Sequence, residues 1–257
     1  MRRVLTSLVL IPLVIYLVLF AAWWLLAAAI ALVACTCYYE YRKLAAAYGL
    51  GTPSVLGYAA GLVILFVNGN AWPWLVLVLA GLMALTLAMR EQDLRQSLPR
   101  AALLVMGVAY AFGCWKCGLA VRARNPHWLM YALLVCWAGD IGGYYIGRSF
   151  GKRRLAERIS PNKTWEGTAG SLVCSAAIAG AYLARFVPGV SVAAAVLLTL
   201  AANVAGQLGD LGESVIKRGA GVKDSGALLP GHGGMLDRVD SVLFVLPVVY
   251  AYVQLGG

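Results

Sequence analysis

Long apolar runs broken by short polar stretches set the pattern of this chain. Nine runs can be marked, at approximately 4–20, 23–47, 54–68, 72–89, 99–121, 127–147, 165–186, 190–209 and 239–255. Several approach the ~20 residues that an α-helix needs to cross a bilayer. In lipid the backbone must satisfy its own hydrogen bonds, so each run is expected to be helical. The predicted fold class is all-α: a polytopic integral membrane bundle of about nine transmembrane helices. The weakest runs are 54–68, which is short, and 190–209, which ends in a polar cluster. Trp23, Trp24, Trp72, Trp74 and Trp128 fall at run ends, where interfacial aromatics belong. The alanine- and glycine-rich stretches 165–186 and 193–206 predict close helix packing through small residues. Met1-Arg2-Arg3 and the run behind it resemble a signal peptide. That run exceeds the roughly 7–15 apolar residues of a signal core, and further spans follow it, so an uncleaved first helix is expected.

Composition strengthens this reading. Hydrophobic residues make up 61% of the 257 and charged residues 12%, with a mean hydropathy of +0.79. Soluble domains carry about a quarter charged residues, so no large soluble domain is expected. The net charge of +10 would suit nucleic acid if it formed a continuous patch. Its cations instead cluster in short loops, a pattern of topology signals and anionic headgroups, and no nucleic-acid partner is expected. A cytoplasmic N-terminus places seventeen of the 21 lysines and arginines on the inner side. The loops 148–164 and 210–238 then face the cytoplasm, where nucleotides are available. Residues 1–121 read as a structural, chemically quiet set of helices, and 122–257 as the catalytic region. Within the first half, Glu40 lies near Arg42 and Lys43 and reads as part of a solvated interfacial cluster. Glu91, Asp93 and Arg95 read as a polar connector. Cys114 and Cys117 have redox-motif spacing without the βαβ context that gives it meaning, so the six cysteines read as thiols in helices.

Four places carry candidate chemistry. Asp140 sits inside an apolar run near its inner end, and an ionisable group there is a functional candidate by default. Pairing with Arg148 is the alternative. In the next loop, Lys152 to Arg154 read as an orientation signal. Ser160-Pro161-Asn162-Lys163-Thr164 is more specific: Thr164 can cap the following helix, Glu166 lies in its first turn, and Lys163 beside that terminus offers an anion site. Asp210, Ser214, Lys217 and Arg218 would share one helical face, suited to a metal-bound polyphosphate. An amphipathic interfacial helix is the alternative. Finally, Lys223, then Gly231-His232-Gly233-Gly234 and Asp237-Arg238-Val239-Asp240, combine close-approach glycines with cations and carboxylates. Arg238 can grip phosphate with two hydrogen bonds, and His232 reads first as a donor to phosphate, with an acid–base group or a loop stabiliser as the alternatives.

The order Ser-x-x-Lys-Arg, four residues, Lys-Asp, then His-Gly-Gly-x-x-Asp-Arg-x-Asp, unbroken from Ser214 to Asp240, resembles the signature of phosphatidate cytidylyltransferases, also called CDP-diacylglycerol synthases. Asp140, the Ser160–Thr164 block and Gly209-Asp210 are similar to further elements of that family. The resemblance implies a phospholipid-biosynthetic enzyme that joins CTP and phosphatidic acid into CDP-diacylglycerol and pyrophosphate. It implies Mg²⁺, with Asp210 and Asp237 as the leading ligands, and leaves room for a second cation and for a homodimer. Asp210, Asp237, Lys217 and His232 would then be catalytic. Ser214, Arg218, Lys223, Arg238, Lys163, Asp140 and Asp240 would bind the substrates. The expected location is a bacterial inner membrane, with multiple spans and the active site on the cytoplasmic side. A transporter would place its acids near the midplane, and a lipid-binding scaffold would not need ordered carboxylates. A lipid kinase is the nearer alternative, separated by releasing a nucleoside diphosphate rather than pyrophosphate.

Overall fold

The computed structural model describes residues 2–51, 54–69, 71–89, 93–228 and 233–256, with side chains from Leu10 onward. The helices are α1 (Arg2–Leu19), α2 (Trp23–Ala47), α3 (Ser54–Phe66), α4 (Trp72–Ala88), α5 (Ser97–Val108), α6 (Cys114–Arg124), α7 (Pro126–Phe150), α8 (Trp165–Ser175), α9 (Ala181–Phe186), α10 (Val192–Gly219) and α11 (Leu236–Gln254). One π-turn, Ala109–Gly113, joins α5 to α6, and another, Ala176–Gly180, joins α8 to α9. Each apolar run of the sequence thus falls on helix among the described residues. Five continuous helical stretches are long and apolar enough to cross a membrane: Trp23–Ala47, Leu94–Arg124, Pro126–Phe150, Trp165–Phe186 and Val192–Gly219. The chain is therefore a helical membrane protein. One departure from an all-helical reading is a small antiparallel hairpin, β1 (Arg154–Ala156) with β2 (Ser160–Thr164). Pro161 keeps this segment extended, and strand pairing satisfies the backbone that a helix cannot use there.

The chain groups into two compact units. One comprises residues 1–22, 117–215 and 239–257, the other 23–116 and 216–238. The first is organised around α7 and α8, which pack through glycine. A Cβ at Gly142 would lie 2.5 Å from the Gly170 carbonyl oxygen, and one at Gly170 2.6 Å from Ile146 Cβ. The two backbones therefore touch directly, as the small-residue composition predicted. Tyr131, Leu129, Leu183, Leu243 and Leu246 fill its core. Trp128 joins them, 3% exposed and ringed by Tyr131 and Tyr252, which corrects its expected place in an interfacial belt. Trp24 and Trp74, at 71% and 70% exposure, are free to serve that role.

The second unit packs α2, α3, α4 and α5 around Tyr38, Phe112, Leu104 and Leu65, all buried. Tyr38 and Phe112 rings lie 5.6 Å apart. The same unit holds the end of α10, the loop after it and the first turn of α11.

Candidate active site

In the first unit, α7, α8, α10, α11 and the β1–β2 hairpin line a half-open cavity of about 660 Å³. Its wall is unusually poor in side chains: Gly139, Gly143, Gly147, Gly151 and Gly167 all line it. Against that bare backbone stand two carboxylates, Asp140 and Asp210, and three cations, Arg148, Arg154 and Lys163. Lys163 Nζ lies 2.5 Å from Asp210 Oδ2, with the two side chains 25% and 35% exposed. β2 delivers Lys163, and Thr164 ends the strand by capping α8, its hydroxyl accepting from the Gly167 amide at 3.1 Å. Glu166, in the first turn of α8, accepts from the Lys152 and Arg153 amides and ties the preceding loop down. Arg148 donates to the Tyr144 hydroxyl at 2.7 Å.

Deeper along α10 the wall stays polar. Asn203, 3% exposed, donates to the Ser171 and Ser175 hydroxyls at 2.9 and 2.8 Å and accepts from Gln207 at 2.6 Å. These groups satisfy one another, which lets a polar stripe persist within an apolar bundle. The cavity can therefore hold a polyanion at its charged end while offering amides and hydroxyls further in.

In the second unit, the end of α10 meets the start of α11. Lys217 Nζ lies 2.6 Å from Asp237 Oδ1, with side chains 12% and 7% exposed. The other carboxylate oxygen accepts from the Ser225 amide and hydroxyl, both at 3.0 Å, and from the Gly234 amide at 2.7 Å. Gly233, with φ of +76°, makes the turn into this arrangement, and a Cβ there would lie 2.7 Å from Asp237 Oδ2. Burial pushes the Asp237 carboxyl up, but Lys217 and the Gly234 and Ser225 donors outweigh it and hold it below the usual aspartate range. Asp237 is thus an anion at any physiological pH.

The sequence-predicted residues are partly gathered in this way. Lys163, Asp140 and Asp210 share the cavity, and the Ser214 hydroxyl lies 3.5 Å from Asp210 Oδ1. Lys217 and Asp237 form their own pair. Arg218 is exposed and donates to the Val222 carbonyl, while Lys223 and Arg238 are exposed. Asp240 accepts from the Ser241 amide, and its backbone carbonyl passes so close to Gly209 that a Cβ there would lie 2.7 Å away. Gly231 and His232 lie outside the described residues, as does Glu91 of the polar connector.

Two further expectations are corrected. Arg154 is not merely an orientation signal, because it lines the cavity. Glu40 is not part of a solvated cluster: it is 2% exposed and accepts from Ser225, Met235 and Leu236. Its sequence neighbours turn elsewhere, with Lys43 over the Tyr39 ring and Arg42 beside Tyr58. Local spacing suggested the wrong partners, and the right ones lie at the other end of the chain. Ser225 was overlooked for a similar reason, since a lone serine in a polar loop carries no signal of burial.

Known proteins with similar sequences point the same way. The profile of the cytidylyltransferase family matches residues 1–256. A phosphatidate cytidylyltransferase of Staphylococcus aureus (strain COL) is 41% identical over 196 residues, covering 74% of this chain and 75% of that protein. Another, from Staphylococcus haemolyticus (strain JCSC1435), is 40% identical over 196 residues, with the same coverage of 74% and 75%. A third, from Staphylococcus saprophyticus, is 37% identical over 205 residues and covers 78% of each chain. By this match over its whole length and these relatives, and with a half-buried lysine–aspartate pair inside the stretch that carries the sequence signature, the chain belongs to the cytidylyltransferase family.

Proposed function

We propose that this protein is a phosphatidate cytidylyltransferase that makes CDP-diacylglycerol and pyrophosphate from CTP and phosphatidic acid. The observation that carries the reading is the cavity in which Asp210 and Lys163 stand beside Asp140, Arg148 and Arg154. A phosphatidate oxygen attacks the α-phosphorus of CTP. A new phosphorus–oxygen bond forms there, the bond to the β-phosphate bridging oxygen breaks, and pyrophosphate leaves with that electron pair. Both reactants are polyanions, so the dominant barrier is charge, and catalysis consists of positioning and neutralisation. Arg148, Arg154 and Lys163 supply the cations of this cavity. Lys163 rests on Asp210 and exchanges that carboxylate for phosphate as substrate arrives.

The donor set suits a hard divalent ion at Asp210. A partly exposed carboxylate on a polar cavity can share such an ion with substrate phosphates, as Mg²⁺ sites commonly do. Asp237 fits less directly, because four donors already occupy its oxygens and a cation would have to displace Lys217 or share Oδ1. Bound Mg²⁺ would neutralise the leaving pyrophosphate. The nine apolar runs support nine crossings, the positive-inside pattern supports a cytoplasmic N-terminus and active site, and the bacterial relatives support a bacterial inner membrane.

The test uses purified protein in lipid-containing detergent micelles with phosphatidic acid, CTP and Mg²⁺. CDP-diacylglycerol and pyrophosphate should appear in equal amounts, and Asp210→Asn should lower turnover at least 100-fold. Release of a nucleoside diphosphate instead would make the protein a lipid kinase.

A further inference from the structure

Glu40 is a carboxylate from the chain's first half, yet among the described residues its hydrogen-bond partners belong to the signature stretch. Oε2 accepts from the Leu236 amide at 2.7 Å and the Ser225 hydroxyl at 3.1 Å, and Oε1 from the Met235 amide at 3.0 Å. Leu236 opens α11 and Met235 immediately precedes it. Amides at a helix start have no partner within the helix, and their dipoles favour a negative charge. A carboxylate from α2 therefore caps α11 from outside.

The cap is joined to Asp237. Ser225 Oγ stands 3.1 Å from Glu40 Oε2 and 3.0 Å from Asp237 Oδ2, so one hydroxyl hydrogen lies between two carboxylates. The loop closes tightly around Glu40. A Cβ at Gly226 would lie 2.6 Å from its Oε1, and a Cβ at Gly234 2.5 Å from its Oε2. Neither glycine has a positive φ, so both are required for space rather than for backbone conformation. The glycines that flank the signature's polar residues thus leave room for a side chain outside the signature.

We propose that Glu40 is a positioning residue for the cytidylyl transfer. It fixes the start of α11 and, through Ser225, sets where the Asp237 carboxylate meets Lys217. It touches no substrate. This inference rests on the cytidylyltransferase reading, and its failure is separable, because the wild-type protein alone tests that reading.

The experiment measures CTP- and phosphatidate-dependent turnover of Glu40→Gln, Ser225→Ala and the double variant, each beside wild type. Glutamine keeps the shape but turns one oxygen into a donor that faces another donor. The expected result for Glu40→Gln is a kcat lowered 10- to 100-fold with KM for CTP within threefold of wild type. A variant that merely contained less folded protein would lose active sites but leave the turnover per folded site intact, so kcat is normalised to protein that elutes monodisperse. Ser225→Ala should lower kcat in the same direction. The double variant should fall no more than about threefold below the worse single, since both act through one network. Glu40→Asp should recover part of the loss by restoring the charge. A kcat within threefold of wild type for Glu40→Gln overturns the proposal. So does a loss confined to KM, or multiplicative effects in the double variant. Should Glu40→Gln fail to accumulate, Ser225→Ala decides alone, and near-normal kcat there also overturns it.

Discussion

Replacing Asp237 with asparagine removes one charge from a pair that is nearly closed to water. Lys217 and Asp237 are 12% and 7% exposed and 2.6 Å apart, and the second oxygen of Asp237 holds three further donors. An asparagine in the same place must keep its oxygen toward Ser225 and Gly234, so its amide group faces the Lys217 ammonium. Breaking a buried pair from one side costs about 3–5 kcal/mol. The small exposure of Lys217 allows some relief, which places Asp237→Asn near the lower limit, at about 3 kcal/mol. Lys217→Met leaves the carboxylate with three neutral donors and should cost about 2 kcal/mol, since a charge-assisted bond is worth roughly 1.5–3 kcal/mol. The double variant removes both charges at once and should cost only about 3 kcal/mol in all, a coupling near 2 kcal/mol. Thermal unfolding in detergent, followed by reaction of a fluorogenic thiol reagent with the buried Cys37 and Cys136, reads these differences. A coupling below about 0.5 kcal/mol would mean that the two residues act independently and would refute the reasoning.

Acidification should act on the same carboxylate. Its pKa is lowered in the folded protein, so its stabilisation is complete above the unfolded value of about 3.9 and is lost as pH falls through the lower folded value. The melting-temperature gap between wild type and Asp237→Asn should hold steady from neutrality to about pH 5 and narrow only below about pH 4; a gap that shrinks near pH 6 would contradict this. Gly142→Ala tests the α7–α8 contact, where a methyl group would meet the Gly170 carbonyl at 2.5 Å. It should destabilise by about 1–3 kcal/mol, as overpacking does, and an unchanged melting temperature would show that the helices can part at no cost.

Much of this was legible in the chain because charge is rare in it. Asp140, Lys163, Asp210, Lys217 and Asp237 stand out against apolar surroundings, and each takes part in the cavity or in the signature's lysine–aspartate pair. Thr164 was legible as a helix cap from a hydroxyl placed just before a helical run. Glu40 was hidden by two nearby cations that offered a local explanation, although its partners lie up to 196 residues away. Arg154 was hidden by a basic run that also serves topology, and its hairpin position depends on strand pairing that no hydropathy pattern reveals. The π-turns at Ala109–Gly113 and Ala176–Gly180 leave no mark in composition, since the residues there suit an ordinary helix equally well.

The bare backbone that walls the cavity has a consequence for how this enzyme can change. Where α7 and α8 touch at glycine, larger residues must push the helices apart or fill the space meant for substrate. Walls of this kind have little mutational tolerance. The side chains at the mouth and along α10, such as Arg148, Asn162 and Gln207, can vary in length and polarity without moving a helix. New substrate preferences should therefore arise at the rim and along α10, while the glycine wall stays as it is.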